Sequence, residues 1–378
     1  MNALKCALVL LIILLNMLWS VSVAAQPQSQ TKTQTTPRVL LVLSGYGQPE
    51  QQAPGYEFDE FAKAYLVLNA HGIAVDVASP QGGKVEADQF DPSKPFNQQV
   101  LNDPTISVQL ANTLAIAKLN AESYQGIYII GGKGAMFDLP NDLALQQLIA
   151  AIYQQDGVVA AVCHGPAALV NVQLADGSYL VAGKAVNSFT NQEERLFGKK
   201  WLSKFEFMLE DKLIERGGRF QASPMMLSHV VADQRLITGQ NPASTVPVTM
   251  ALVAALGVAP IALPGYKDDL TLAQIAAFLA GDTQALPSMS AAPEQYQLEL
   301  AGAYGFYYLQ AADTDLAKQQ ALALMQLGQS TINHASLDLA IAKTQLQLGD
   351  KTSARATLTE IVRKDPQATA AQDLLNTL

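Results

Sequence analysis

Cysteine is nearly absent, with two residues in 378, Cys6 and Cys163. Cys6 falls inside an N-terminal apolar run, so no internal disulfide framework is available and a buried core has to hold the fold. Histidine is scarce too, with four residues. No cluster of His, Cys and carboxylates has metal-ligand spacing, so neither a required metal nor another cofactor is expected. Cations are outnumbered, 24 Lys and Arg against 33 Asp and Glu, for a formal charge of −9. Without a basic run, that balance excludes nucleic acid as the main partner and attachment to an anionic membrane surface.

The chain opens "MNALKCALVLLIILLNMLWSVSVAAQ". Lys5, the apolar run after it and Val23-Ala24-Ala25 before Gln26 predict a signal peptide over residues 1–25 and an exported, periplasmic or secreted protein. An uncleaved anchor is the alternative, because residues 6–25 are nearly long enough to span a bilayer. Residues 26–37, rich in Gln and Thr, are expected to be a flexible leader.

From Arg38 the texture is that of a folded domain. "RVLLVLS" (38–44), "IAVDVAS" (73–79), "GIYIIGG" (126–132) and "VVAAV" (158–162) are short apolar runs closed by Gly, Pro or Cys. "DEFAKAYLVLNAHG" (59–72) and "DLALQQLIAAIYQQDG" (142–157) have helical spacing. Alternation at this interval predicts βαβ units around a parallel sheet covered on both faces. "HVVAD" with "RLITGQ" (229–240) predicts a hairpin, and 243–257 a closing helix.

Beyond about residue 260 strand signals vanish. The segment 337–366 places Ala342, Gly349, Ala354 and Pro366 at offsets of 7, 5 and 12, which looks like a tetratricopeptide repeat. Residues 298–330 look like a degenerate copy, with Ala317 at the small-residue position of its second helix. A plain helical hairpin is the alternative. The expected organisation is an α/β domain over 38–260 and a small all-α domain over 268–378.

The stretch with most chemical content is "VVAAVCHGPAALV" (158–170). It puts Cys163 and His164 at the end of a strand, with Gly165 and Pro166 opening a predicted helix. A sharp strand-to-helix turn would lift the thiol out of the sheet, and a helix start favours the reactive thiolate. A buried structural cysteine is the competing reading. His71 and His334 look like incidental helix residues, and His229 is a weak candidate for the cleft.

"AAVCHGPAALV", with "YIIGGKGAMFDLP" (128–140), "LVAGKAVNSFTNQEE" (180–194) and "RLITGQNPAS" (235–244), resembles the ThiJ/PfpI family of class I glutamine-amidotransferase-like proteins, in particular its heat-shock chaperone and glyoxalase III branch. The resemblance spans about 38–257. It implies a flavodoxin-like sandwich with Cys163 as nucleophile, His164 beside it and Glu194 as the acid that orients the imidazole. Glu193 competes for that role, and Asn191 with Glu194 could instead form a helix cap. It further implies that Glu60 reaches the cysteine, with Asp59 and Glu57 as neighbours, and that Gly131 and Gly132 contribute an oxyanion or substrate-binding turn. Lys133 stands where many relatives of that branch carry histidine. Lysine can bind a carbonyl or carboxylate, but it does not do histidine's acid–base work near neutrality.

The resemblance implies a glutathione-independent glyoxalase acting on a small 2-oxoaldehyde. Amide or peptide hydrolysis and removal of early glycation adducts are alternatives on the same residues. A different class, an envelope redox sensor or holdase binding a protein partner through the C-terminal helices, is carried by residues 268–378. A homodimer is a further partner reading. As an enzyme, the chain is expected to keep its chemistry without residues 268–378.

Overall fold

The apolar runs become strands. Nine are present among the described residues: β1 Arg38–Val42, β2 Ala74–Ser79, β3 Leu114–Ala115, β4 Gly126–Ile129, β5 Val158–Val162, β6 Ala185–Val186, β7 Arg219–Phe220, β8 Val230–Asp233 and β9 Leu236–Gly239. Seven form one sheet in the order β3-β2-β1-β4-β5-β9-β8, while β6 and β7 pair separately. Every neighbour in the main sheet is parallel except β8 on β9, the predicted hairpin. The computed structural model describes residues 36–48 and 52–378. The expected signal peptide, and the leader up to residue 35, lie outside the described residues.

Alternation along each strand divides the interior into two cores. Val39 and Leu41 of β1 join Phe61, Leu68 and Val248 on one face, while Leu40 and Val42 join Leu145, Ile149 and Ile152 on the other. The helices Phe58–Ala70 and Thr245–Ala255 supply the first face, and Leu143–Gln154 supplies the second. This is the expected flavodoxin-like sandwich with a mostly parallel sheet. The chain leaves β1 toward β2 on one side and returns to β4 on the other. That switch opens a crevice at the carboxyl ends of β1, β4 and β5, where ligands bind in such sheets.

Two local expectations are corrected. Gly165-Pro166 does not open an α-helix: Gly165–Leu169 is a five-residue 3₁₀ turn, too short to build a macrodipole behind Cys163. In the first long helical pair, Leu298–Leu309 and Asp315–Ile332, Ala317 is not the close-packing position. It lies half-exposed in the first turn, its N–H capped by Thr314. The helices meet instead where Gly302 faces Gly328 and Gly305 faces Ala321; a side-chain carbon at Gly302 would come within 2.9 Å of the Gly328 α-carbon.

Seven helices follow the α/β portion, from Lys267–Leu279 to Thr369–Asn376. In the hairpin Ala335–Gln347 and Lys351–Lys364, Ala342 and Ala354 are fully buried, and Gly349 turns the chain at a φ of +83°. Residues 36–378 form one compact unit. His71 helps bind the connector, its Nε2 accepting from the Ile261 N–H at 3.0 Å.

Candidate active site

β5 runs inside the sheet between β4 and β9, buried along its whole length, and leads directly into Cys163. There the backbone turns to a φ of +59°, a left-handed conformation costly for a non-glycine residue. Two hydrogen bonds hold it: the Cys163 N–H donates to the Gly239 carbonyl at 2.9 Å, and the Phe189 N–H donates to the Cys163 carbonyl at 2.8 Å. The strained elbow is therefore built by β9 and the segment after β6, not by a following α-helix.

His164 shares the elbow. Its Nδ1 lies 3.3 Å from Cys163 Sγ, and its Nε2 lies 2.7 Å from Glu194 Oε2. An Nε2–H donated to the Glu194 carboxylate leaves Nδ1 as an acceptor facing the thiol, the base-plus-orienter arrangement of a nucleophilic triad. All three side chains are buried, and Phe189 lies against the imidazole with ring centroids 4.6 Å apart.

The competition between Glu193 and Glu194 is resolved by the turn that starts the helix Asn191–Phe197. Thr190 and Glu193 form a reciprocal capping box, and Glu193 also accepts from the Met226 N–H, Gln240 and Asn241. Glu193 is thereby consumed in structure. One residue on, Glu194 points to His164. Its remaining oxygen, Oε1, has no partner among the described residues and lies where a side chain at Gly198 would collide with it.

Glu60 enters from the other side, on the first turn of the helix Phe58–Ala70. Its Oε2 accepts from the Gly131 N–H at 2.8 Å, while Oε1 has no partner. Burial, then the charge of Glu57, pushes the Glu60 carboxyl well above the usual carboxylate range. Burial, then the charge of Glu60, pushes the Cys163 thiol up as well. Two negative charges are disfavoured in this dry space, so the pair keeps a proton between them. Glu57 sits near the mouth, half-buried, its pKa raised to about 7 by burial and the neighbouring Asp59.

The two glycines behave differently. The Gly131 N–H is already committed to Glu60, so it is not available to a substrate oxygen. Gly132 has a φ of +94°, and its N–H, like that of His164, has no partner among the described residues. Lys133 lines a cavity of about 710 Å³ together with Glu57, Asp88, Lys200 and Trp201. Its charge favours the ionised forms of Glu57, Asp88 and Cys163. Sequence reasoning missed Asp88 and Trp201 because they come from loops with no pattern of their own. His229 makes no hydrogen bond to Cys163 or His164 among the described residues; it starts the turn into β8, its N–H donating to the Ser244 hydroxyl. His334 caps a helix by accepting from the Ser336 N–H.

Comparison with known proteins agrees with this geometry. The profile of the DJ-1/PfpI family matches residues 52–255. The chain is 31% identical over 231 residues to the glutathione-independent glyoxalase hsp3102 of Schizosaccharomyces pombe, covering 58% of this chain and 96% of that protein. It is 33% identical over 231 residues to glyoxalase 3 of Candida albicans, covering 58% and 98%. Among solved structures, Candida albicans glyoxalase III superposes with a TM-score of 0.53 at 25% identity, covering 58% of this chain and 97% of that one. The Francisella tularensis rapid encystment protein of 24 kDa does so with a TM-score of 0.54 at 30% identity, covering 58% and 99%. A mostly parallel sheet with a strained cysteine after an interior strand, and a matching profile over more than half the sequence, place the chain in the DJ-1/PfpI family.

Proposed function

We propose that the chain is a glutathione-independent glyoxalase that converts methylglyoxal to lactate on Cys163. The observation that carries this reading is the placement of Cys163 between two acid–base systems, His164–Glu194 on one side and Glu60 on the other. The relatives named glutathione-independent glyoxalase support it. His164 Nδ1 takes the thiol proton as sulfur bonds to the aldehyde carbon, and the aldehyde oxygen gains a proton to complete a hemithioacetal. Glu60, as carboxylate, removes the proton from that carbon; the electron pair moves toward the ketone oxygen, which takes up the hemithioacetal hydroxyl proton, giving an enediolate. Glu60 then returns its proton to the neighbouring carbon as the C=O re-forms on the sulfur-bearing carbon, leaving a lactoyl thioester. Water then attacks the thioester carbon, lactate leaves and the thiol is restored. Oxidation of one carbon balances reduction of the other, so no external oxidant is used.

A buried carboxyl with a raised pKa suits this relay, because it can take a proton from carbon and hold it until it is returned. The free N–H groups of Gly132 and His164 are the donors we assign to the developing oxyanion. Lactate formation from methylglyoxal without glutathione, measured beside Cys163→Ser and Glu60→Gln, is the test. Turnover by the unaltered chain that disappears in both variants supports the mechanism; turnover that survives in Cys163→Ser overturns it.

A second reading takes its support from the cavity lined by Glu57, Asp88, Lys133 and Lys200, which does not include Cys163 itself but offers room beside the elbow for more than a three-carbon dicarbonyl. Hydrolysis of an amide, or of a glycation adduct on a larger substrate, would use the same cysteine. Export to the periplasm or beyond remains our proposal from residues 1–25, and protein binding by the C-terminal helices our proposal from residues 268–378.

A further inference from the structure

The two carboxylates of the site stand on separate helices, and each helix is held one turn further on by the C-terminal helical portion. On Phe58–Ala70, Glu60 is followed at i+3 by Lys63, on the same side of the helix. Lys63 is 4% exposed, and its ammonium reaches Asp268 at 2.8 Å and Asp269 at 2.7 Å. Those aspartates sit in the first turn of Lys267–Leu279, where the helix start favours negative charge. The rings of Phe96 and Tyr266 close over the ammonium, 4.9 and 5.2 Å away. On Asn191–Phe197, Glu194 is followed at i+3 by Phe197, whose ring meets Tyr307 of Leu298–Leu309 with centroids 4.9 Å apart. Leu227 shares a core with Ile275, Met289, Ala301, Tyr304 and Leu324, and the preceding residue, Met226, donates its N–H to Glu193 at 2.6 Å.

We propose that the C-terminal helices are part of the enzyme's positioning machinery, holding Glu60 through the Lys63–Asp268–Asp269 ion triad and Glu194 through the Phe197–Tyr307 contact. Lys63, Asp268, Asp269 and Tyr307 are positioning residues; none touches the reacting atoms. A buried ammonium is tolerated only while its partners remain, so the helix that carries Glu60 is registered against Lys267–Leu279. A displacement of about 1 Å at a catalytic group can cost on the order of a hundredfold in rate. On this view residues 268–378 are not dispensable for the chemistry, in contrast to the expectation from sequence. The inference rests on the reading of Glu60 and Glu194 as active-site acids.

The test uses the full chain. Lys63→Met with Asp268→Asn and Asp269→Asn removes the triad without stranding a buried charge, and Tyr307→Ala breaks the second contact at a partly exposed residue. Glu360→Gln, in the exposed pair with Arg363, is the control. Two readouts are taken on folded protein: kcat and KM for methylglyoxal, and the pH midpoint of iodoacetamide alkylation followed on the Cys163-bearing peptide by mass. We expect kcat to fall about tenfold or more in both variants, with KM within about twofold, and the triad variant to move the alkylation midpoint. Folded variants that keep the kcat and midpoint of the unaltered chain overturn the proposal. If the unaltered chain does not turn over methylglyoxal, the glyoxalase reading falls, and the alkylation midpoint alone decides whether the triad acts on the site; an unmoved midpoint overturns the inference independently.

Discussion

Glu60 and Cys163 face each other across the α-carbon of Gly131. A side-chain carbon at Gly131 would sit 2.7 Å from Glu60 Oε2 and 2.8 Å from Cys163 Cβ. Glycine is therefore required there by close approach, and its N–H orients the carboxyl. Gly131→Ala is expected to reduce activity at least about a hundredfold and to destabilise the fold by roughly 1–3 kcal/mol through overpacking. Steady-state rates and thermal unfolding on the same sample check both.

Glu193 and Glu194 are adjacent but do different work. Glu193→Gln breaks a fully buried set of charge-assisted hydrogen bonds and should cost roughly 2–4 kcal/mol of stability. Glu194→Gln should leave the fold intact and lower kcat by about 10- to 100-fold. Denaturant unfolding beside kinetics separates them, and the reverse pattern would show that the acid has been misassigned.

Gly198→Ala reaches the site indirectly. The added methyl would occupy the place of Glu194 Oε1, so the carboxylate must move away from His164. Its kcat should fall to about the level of Glu194→Gln, with little further loss when the two are combined. Additive losses would mean that the two substitutions act independently.

Lys133 favours the thiolate of Cys163 through its charge. Removing that charge in Lys133→Met destabilises the ionised form, so the pH midpoint of Cys163 alkylation should rise. Lys133→Arg should keep it near the original value. A midpoint that falls or stays fixed in Lys133→Met contradicts the proposed electrostatic role.

Glu57 makes a stability prediction with a definite sign. Its pKa rises from the ordinary 4.5 to about 7 in the folded chain, so the folded state binds the proton more tightly than the unfolded state does. The stability this proton contributes is present below pH 4.5 and is lost as pH rises through about 7. Glu57→Gln carries no such ionisation cost. Its Tm relative to the unaltered chain should therefore climb between pH 5 and pH 8, by roughly 1–3 °C. A difference in Tm that stays flat across that range would show that burial does not hold the proton there.

The sequence by itself determined six of the nine strands, the sheet class and a sharp turn at Cys163. The two-residue strands β3, β6 and β7 have no pattern of their own, and the bonds that hold the turn come from remote segments. β-branched and small residues at β1, β4 and β5, closed by glycine or cysteine, leave little choice but a parallel sheet buried on both faces. That a cap opens the helix beside Glu194 was legible, but not its members: Asn191 with Glu194 was the expected pair, whereas Thr190 and Glu193 form the box and Glu194 is left free to meet His164. Which of two adjacent glutamates meets His164 was not legible, since it depends on Met226, Gln240 and Asn241 arriving from remote segments to occupy the other. The 3₁₀ turn after Cys163 was not legible either: Gly165-Pro166 is compatible with either helix start. Gly165 lies so close to the Ile129 carbonyl that a side chain there would clash, a constraint set by β4. The ion triad at Lys63 was the most hidden feature. A lysine on a helix reads as solvated from sequence; only the arrival of Asp268 and Asp269, 205 and 206 residues later, makes its burial affordable, and only tertiary structure brings those charges together.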